Sequence, residues 1–110
     1  MPSKSKAKGN RFERELVKLA EESGLTAKRA YASNGQSLGK TDDVDLLIQG
    51  LSFQAKCRKK IGDLYKPNSN NFGQIFKEDR GEIYVMIKFE DLLKIMNRLD
   101  SYSIESFIKD

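Results

Sequence analysis

In the stretch DVDLLIQGLSFQAK, residues 43 to 56, polar residues at 43, 45, 54 and 56 flank two apolar-rich runs joined by Gln49-Gly50. Asp43, Asp45, Gln54 and Lys56 are residue types from which a hard-cation site can be built. Carboxylate and amide oxygens ligate ions such as Mg²⁺, and an ammonium group can meet the charge of a phosphate. The chain has no histidine and a single cysteine, Cys57. The usual zinc sites, an internal disulfide and a nucleophile activated by histidine are therefore excluded. Any bound metal must be held by oxygens.

The element that must position these residues reads as a β-hairpin, with Gln49-Gly50 as a two-residue turn between two apolar-rich runs. This turn pairs Ile48 with Leu51, Leu47 with Ser52, Leu46 with Phe53, Asp45 with Gln54, Val44 with Ala55, and Asp43 with Lys56. Alternation then collects Val44, Leu46, Ile48, Leu51, Phe53, Ala55 and Cys57 on one face. Asp43, Asp45, Ser52, Gln54 and Lys56 share the other with Leu47. Opposed Asp45 and Gln54 would have Cβ atoms roughly 5 Å apart, close enough to share one cation. The plainer explanation is an amphipathic hairpin with its wet face outward and a cross-strand Asp43–Lys56 pair. Against it, the near-continuous VDLLI suggests a strand covered on both sides. Buried polar groups there need partners or a role.

Around the hairpin, Phe12, Leu16, Leu19 and Ala20 recur at helical spacing and predict a helix from about Arg11 to Ser23, with Gly24 as its left-handed cap. LTAKRAYAS reads as a strand and NGQSLGKTDD as a loop. RKKIGDLYKPNSNNFG is a long loop broken by Pro67 and Gly73, leading into a short helix near Phe72 to Glu78. EIYVMIKF is a strand, and EDLLKIMNRL a helix with acidic residues in its first turn. The result is a small α/β domain around a mixed sheet. Residues 1 to 9 read as a flexible basic arm and 10 to 110 as one domain, which suits a chain of 110 residues with 38% hydrophobic content. No apolar run is long enough for a membrane span, and MPSKSKAKGN lacks the apolar region of a signal peptide. The expected location is cytoplasmic. Residues 1 to 60 carry 13 Lys/Arg against 7 Asp/Glu, whereas 61 to 110 carry 7 against 9. A basic first half suits a polyanionic partner, nucleic acid before membrane.

The ordered set KGNRFERELVKLAEESGL, KRAYAS, VDLLI and FQAK resembles the archaeal-type Holliday junction resolvases of the PD-(D/E)XK nuclease superfamily. The resemblance covers about Lys8 to Lys60, and the rest only as a strand followed by a helix. It implies a restriction-endonuclease-like core, a mixed central β-sheet flanked by helices. That family carries a glutamate in the first helix, an arginine on the first strand, an aspartate opening the second, and Glu-X-Lys on the next. Here these become Glu13, Arg29, Asp45, and Gln54 with Lys56. Gln54 departs from the commoner glutamate, while some superfamily branches have Gln-X-Lys. The exchange removes a negative charge but keeps a carbonyl oxygen. The segment between Asp45 and Gln54 is also shorter than in the archaeal enzymes.

The resemblance implies Mg²⁺, with Mn²⁺ as substitute, held by Glu13, Asp45, Gln54 and the backbone carbonyl of Ala55. Lys56 completes the catalytic set of Glu13, Asp45, Gln54 and Lys56. Lys8, Arg11, Arg14, Arg29, Arg58, Lys59 and Lys60 would hold flanking phosphates, with Ser33 near the site. The implied activity is paired cleavage of branched, four-way double-stranded DNA by a homodimer, without an organic cofactor or a membrane. Taken singly, the residues have plainer readings. Glu13 stands three residues after Asn10, the spacing of a capping box. Arg14 and Arg29 suit surface charges, and Lys56 a solvated lysine in KCRKK. Three other functions stay open: a nicking, flap or restriction-like nuclease on the same fold, a non-catalytic junction binder, and a basic RNA-associated protein.

Overall fold

A computed structural model of the chain describes residues 4–30, 38–62 and 65–109. Its elements run α1 (Lys4–Glu22), β1 (Ala27–Arg29), β2 (Leu46–Ile48), β3 (Leu51–Phe53), β4 (Gly73–Lys77), β5 (Ile83–Ile87), α2 (Phe89–Asn97) and α3 (Ser101–Lys109). The α/β class expected from the sequence holds and is compatible with a restriction-endonuclease-like fold. Among the described residues the strands form two small antiparallel sheets, β1-β2-β3 and β4-β5, where one mixed sheet was expected. A polar segment lies between β3 and β4 in the chain, and among the described residues no ladder joins the two sheets.

The first helix starts at Lys4, not near Arg11. Residues 4 to 9, read as an arm, form its first turns; lysine and alanine are good helix formers even without apolar periodicity. Its end follows the expected cap. Gly24 has φ 85°, its amide donates to the Glu21 carbonyl at 2.9 Å, and the Leu25 amide donates to the Ala20 carbonyl at 3.0 Å. This pair of bonds is the Schellman closure, and it tucks Leu25 against Ala20. Both residues are buried.

The hairpin turn forms as expected. Gln49 and Gly50 both have positive φ, 52° and 82°, as a turn matched to the twist of its strands requires. Leu46 pairs with Phe53, Leu47 with Ser52 and Ile48 with Leu51. Gln49 is held further by Thr26, whose amide and hydroxyl donate to Gln49 Oε1 at 2.7 and 2.8 Å. Leu46 and Ile48 are buried with Ala20, Leu25, Leu93 and Met96 in one core, so α1 and α2 share the same face of the sheet. Asn97 adds a polar tie between the helices, donating through Nδ2 to the Ser23 carbonyl at 2.6 Å.

Residues 73 to 77 are a strand, and the short helix expected near Phe72 to Glu78 does not form. The GQIFK segment finds a partner in IYVMI, with Ile75 opposite Val85 and Lys77 opposite Ile83. Cross-strand pairing outweighs the weak local preference for a helix. A last helix that the sequence reading did not include, α3, begins with the Asp100 carboxylate accepting the Ser103 amide at 2.7 Å. It buries Ile104.

Candidate functional site

The first carboxylate comes from α1. Glu13 is 6% exposed, and its Oε1 accepts from Arg29 Nη2 at 3.1 Å and Nε at 3.3 Å. Asn10 Oδ1 accepts a further bond from Arg29 Nη2 at 3.3 Å. Because α1 begins at Lys4, Asn10 lies well inside the helix and cannot cap it. The capping-box reading of Asn10 and Glu13 therefore gives way to a shared role as acceptors for Arg29. Asn10 was missed as a functional neighbour, although its spacing of three from Glu13 places both on one helix face.

The second carboxylate comes from the mouth of the hairpin. Regular pairing would bring Asp45 opposite Gln54, yet the ladder ends at Leu46 and Phe53. The Asp45 amide donates to the Phe53 carbonyl at 2.9 Å, while the Asp45 carbonyl accepts from Ala30 on the other side at 2.9 Å. Two residues, Asp45 and Leu46, thus oppose one, Phe53, which is the pattern of a β-bulge. A bulge re-aims the side chain it carries. Asp45 Oδ2 accepts the Ala55 amide at 2.8 Å, so the carboxylate lies against the backbone just beyond β3. The expected Asp45–Gln54 opposition does not form. Gln54 is exposed.

The expected Asp43–Lys56 pair is likewise absent from the ion pairs of the described residues. Asp43 instead accepts from the Thr41 hydroxyl. That bond, helped by Asp43's own amide, lowers its pKa, and Asp43 is exposed.

Beyond Ala55 the basic residues gather. Lys8 and Gly9 of α1 face Ala55, Lys56, Cys57, Arg58 and Lys59 across an open groove of about 370 Å³. Four cations, Lys8, Lys56, Arg58 and Lys59, line it together with Ala55, whose amide donates to Asp45. Arg11, Arg14 and Lys60 are exposed nearby in sequence and do not line the groove. Ser33 lies outside the described residues. Among the described residues, no group of three or more acidic, histidine or cysteine side chains converges as a metal cluster.

Comparison with protein-family models matches residues 4–106 to the archaeal Holliday junction resolvase (hjc) family. The chain belongs to that family. The match runs from the start of α1 into α3, so Glu13, Asp45 and the groove all fall within it. Membership gives this resolvase-family chain a nuclease role on Holliday junctions and branched DNA as its partner. Comparison with curated proteins and with solved structures found no match. No helix among the described residues is long and apolar enough to cross a membrane.

Proposed function

We propose that the chain is a metal-dependent, structure-selective endonuclease that resolves four-way DNA junctions by paired phosphodiester hydrolysis. The observation that carries this reading is the Asp45 carboxylate bound to the Ala55 amide at the edge of a groove lined by Lys8, Lys56, Arg58 and Lys59. An anionic, oxygen-donor group beside a cationic cleft is what phosphate hydrolysis with a hard cation needs.

The donor chemistry fits Mg²⁺, or Mn²⁺ in its place, because every candidate ligand is an oxygen. Asp45 has one carboxylate oxygen engaged by Ala55, and Glu13 has one engaged by Arg29. The other oxygen of each would be available to the ion, and the Ala55 carbonyl and the Gln54 amide oxygen would complete the protein's share. Such an ion supplies Lewis-acid polarisation of the scissile phosphate and activation of water. The remaining roles fall to the chain. Lys56 stabilises charge developing on the phosphate, and Lys8, Arg58 and Lys59 hold the flanking backbone, with Arg11, Arg14 and Lys60 extending the basic surface.

A homodimer suits two paired cuts across a two-fold junction. The chain exposes 8,900 Å² for a mass of 12.5 kDa, whereas a folded monomer of that mass exposes about 6,200 Å². Its radius of gyration is 15.2 Å, against about 13 Å for a compact chain of this length. Part of the excess is one face of the β4-β5 hairpin, where Ile75, Ile83 and Val85 are 72%, 65% and 63% exposed. A second copy packed on this face would cover these side chains. The expected setting is the cytoplasm.

The test is cleavage of junction, flap, nicked and linear duplex DNA with and without Mg²⁺, beside Asp45→Ala. Junction-selective, metal-dependent cutting lost in the variant supports the reading. Cutting of flaps or linear duplex in preference to junctions would assign another nuclease on the same fold. The exposed position of Gln54 favours one further reading, a junction binder without catalysis. Tight junction binding with no cleavage in Mn²⁺ would select it.

A further inference from the structure

Sequence resemblance assigns Arg29 to DNA, yet its guanidinium is already engaged inside the protein. Of its five N–H donors in a rigid fork, the Nε–Nη2 edge is directed at Glu13 Oε1, and Nη2 also reaches Asn10 Oδ1. This edge is one with which arginine clamps a phosphate in bidentate fashion. The Arg29 side chain is only 24% exposed. Its place in the sheet matters as much as its partners. The next residue, Ala30, donates its amide to the Asp45 carbonyl, and the Asp45 carboxylate accepts from Ala55. Arg29 therefore ties the helix bearing Glu13 to β1, whose following residue, Ala30, binds the Asp45 carbonyl.

We propose that Arg29 is a positioning residue for Glu13, not a phosphate contact. It holds Glu13 by Oε1 and leaves Oε2 outside that pairing. Asn10 steadies the guanidinium from one turn back along α1. The inference rests on the nuclease reading of the site, to which it adds the role of this side chain. A lysine, with one point charge, cannot bridge Glu13 and Asn10 in the same fork geometry.

The test compares Arg29→Gln, Arg29→Lys, Glu13→Gln and the double variant Glu13→Gln/Arg29→Gln, with Lys59→Ala as the phosphate-contact reference. Junction affinity is measured in EDTA across a salt series, Mn²⁺ binding by the electron paramagnetic resonance signal of free Mn²⁺, and cleavage as kcat and KM. Positioning predicts that Arg29→Gln keeps the wild-type salt slope in EDTA while Mn²⁺ affinity and kcat fall about tenfold or more. KM should not change. Arg29→Lys recovers part of the loss, and the double variant is no worse than Glu13→Gln. A salt slope reduced by about one unit in Arg29→Gln, as in Lys59→Ala, would overturn the proposal, as would losses that multiply in the double variant. If Arg29→Gln does not fold because Glu13 is left buried and unpaired, the double variant decides. Junction binding in EDTA equal to that of Glu13→Gln supports positioning, and weaker binding overturns it. A wild-type chain that neither cleaves nor binds Mn²⁺ would remove the nuclease reading and the proposal with it. Wild-type cleavage with an altered salt slope in Arg29→Gln would remove the proposal alone.

Discussion

The Asp45 carboxylate accepts the backbone amide of Ala55 at 2.8 Å, joining the mouth of the hairpin through a side chain where the backbone ladder has already ended at Leu46 and Phe53. The same carboxylate thus has a local structural task and a proposed chemical one, and the two can be separated.

Asp45→Asn separates them. An asparagine carbonyl can still accept the Ala55 amide, so the fold and the melting temperature should hold, while the loss of the anionic oxygen should reduce cleavage about 100-fold or more. Asp45→Ala should lose both the bond and the activity. Thermal melts beside single-turnover cleavage make the comparison. Wild-type-like cleavage in Asp45→Asn would take Asp45 out of the catalytic set.

The groove makes a prediction that does not depend on chemistry. Lys59→Ala should weaken junction binding and reduce the slope of log affinity against log salt by about 0.9. The loss should be nearly uniform across junction sequences, because a phosphate contact carries no sequence information. Lys109→Ala, on the far helix α3 and outside the groove, serves as the control. Equal slopes for the two variants would remove the groove as a DNA surface.

Gly50→Ala should destabilise the chain by about 1 kcal/mol or more, read from chemical denaturation, because a side chain is strained at positive φ. Gly50 has φ 82°, and an added Cβ would lie 3.2 Å from Ile108 Cδ1. Unchanged stability would mean that the turn can readily adopt another conformation.

How far these features were legible in the sequence varies with how local their causes are. The Gln49-Gly50 turn and the pairing of Leu46 with Phe53 follow from residues next to one another, and the register was read correctly. The Asp45 bulge was not legible, because it depends on the Asp45 amide binding the Phe53 carbonyl while the Asp45 carbonyl binds the Ala30 amide, two partners distant in sequence. The Glu13–Arg29 pair joins residues sixteen apart on different elements, which one sequence does not reveal. The start of α1 was misjudged because Lys4 to Lys8 lack the apolar spacing used to recognise helices. Strand β4 was misjudged because its partner follows only after the charged loop at 78–82. In α3, Ser, Tyr, Phe and Ile have modest helix propensity; the available signal was Asp100 as a capping residue three positions before Ser103.

That cap makes α3 sensitive to acid. The Ser103 amide, and secondarily its hydroxyl, lower the Asp100 pKa below its ordinary value of 3.8. A carboxylate with a depressed folded-state pKa contributes its stabilisation fully above the unfolded value and loses it as pH falls through the folded one. Helical circular dichroism from α3 should therefore be constant from neutral pH down to about 4 and decline below. Asp100→Asn, whose amide caps without titrating, should flatten that decline. An identical acid profile in the variant would show that α3 is held by Ile104 alone.

The last prediction concerns Gln54, exposed beside Ala55 and one residue from the point where β3 meets Asp45. If its amide oxygen serves the ion, a carboxylate at the same position should serve better, since charge as well as a lone pair then favours binding. Gln54→Glu should retain or raise cleavage at low Mg²⁺, shifting the Mg²⁺ dependence to lower concentration. Gln54→Leu keeps a comparable volume but no donor oxygen, and should abolish cleavage while leaving junction binding in EDTA intact. Titrating Mg²⁺ against cleavage rate for the three proteins distinguishes a ligand from a bystander. Cleavage by Gln54→Leu at the wild-type rate would remove Gln54 from the site and leave Asp45 and Glu13 to hold the ion with backbone oxygen and water.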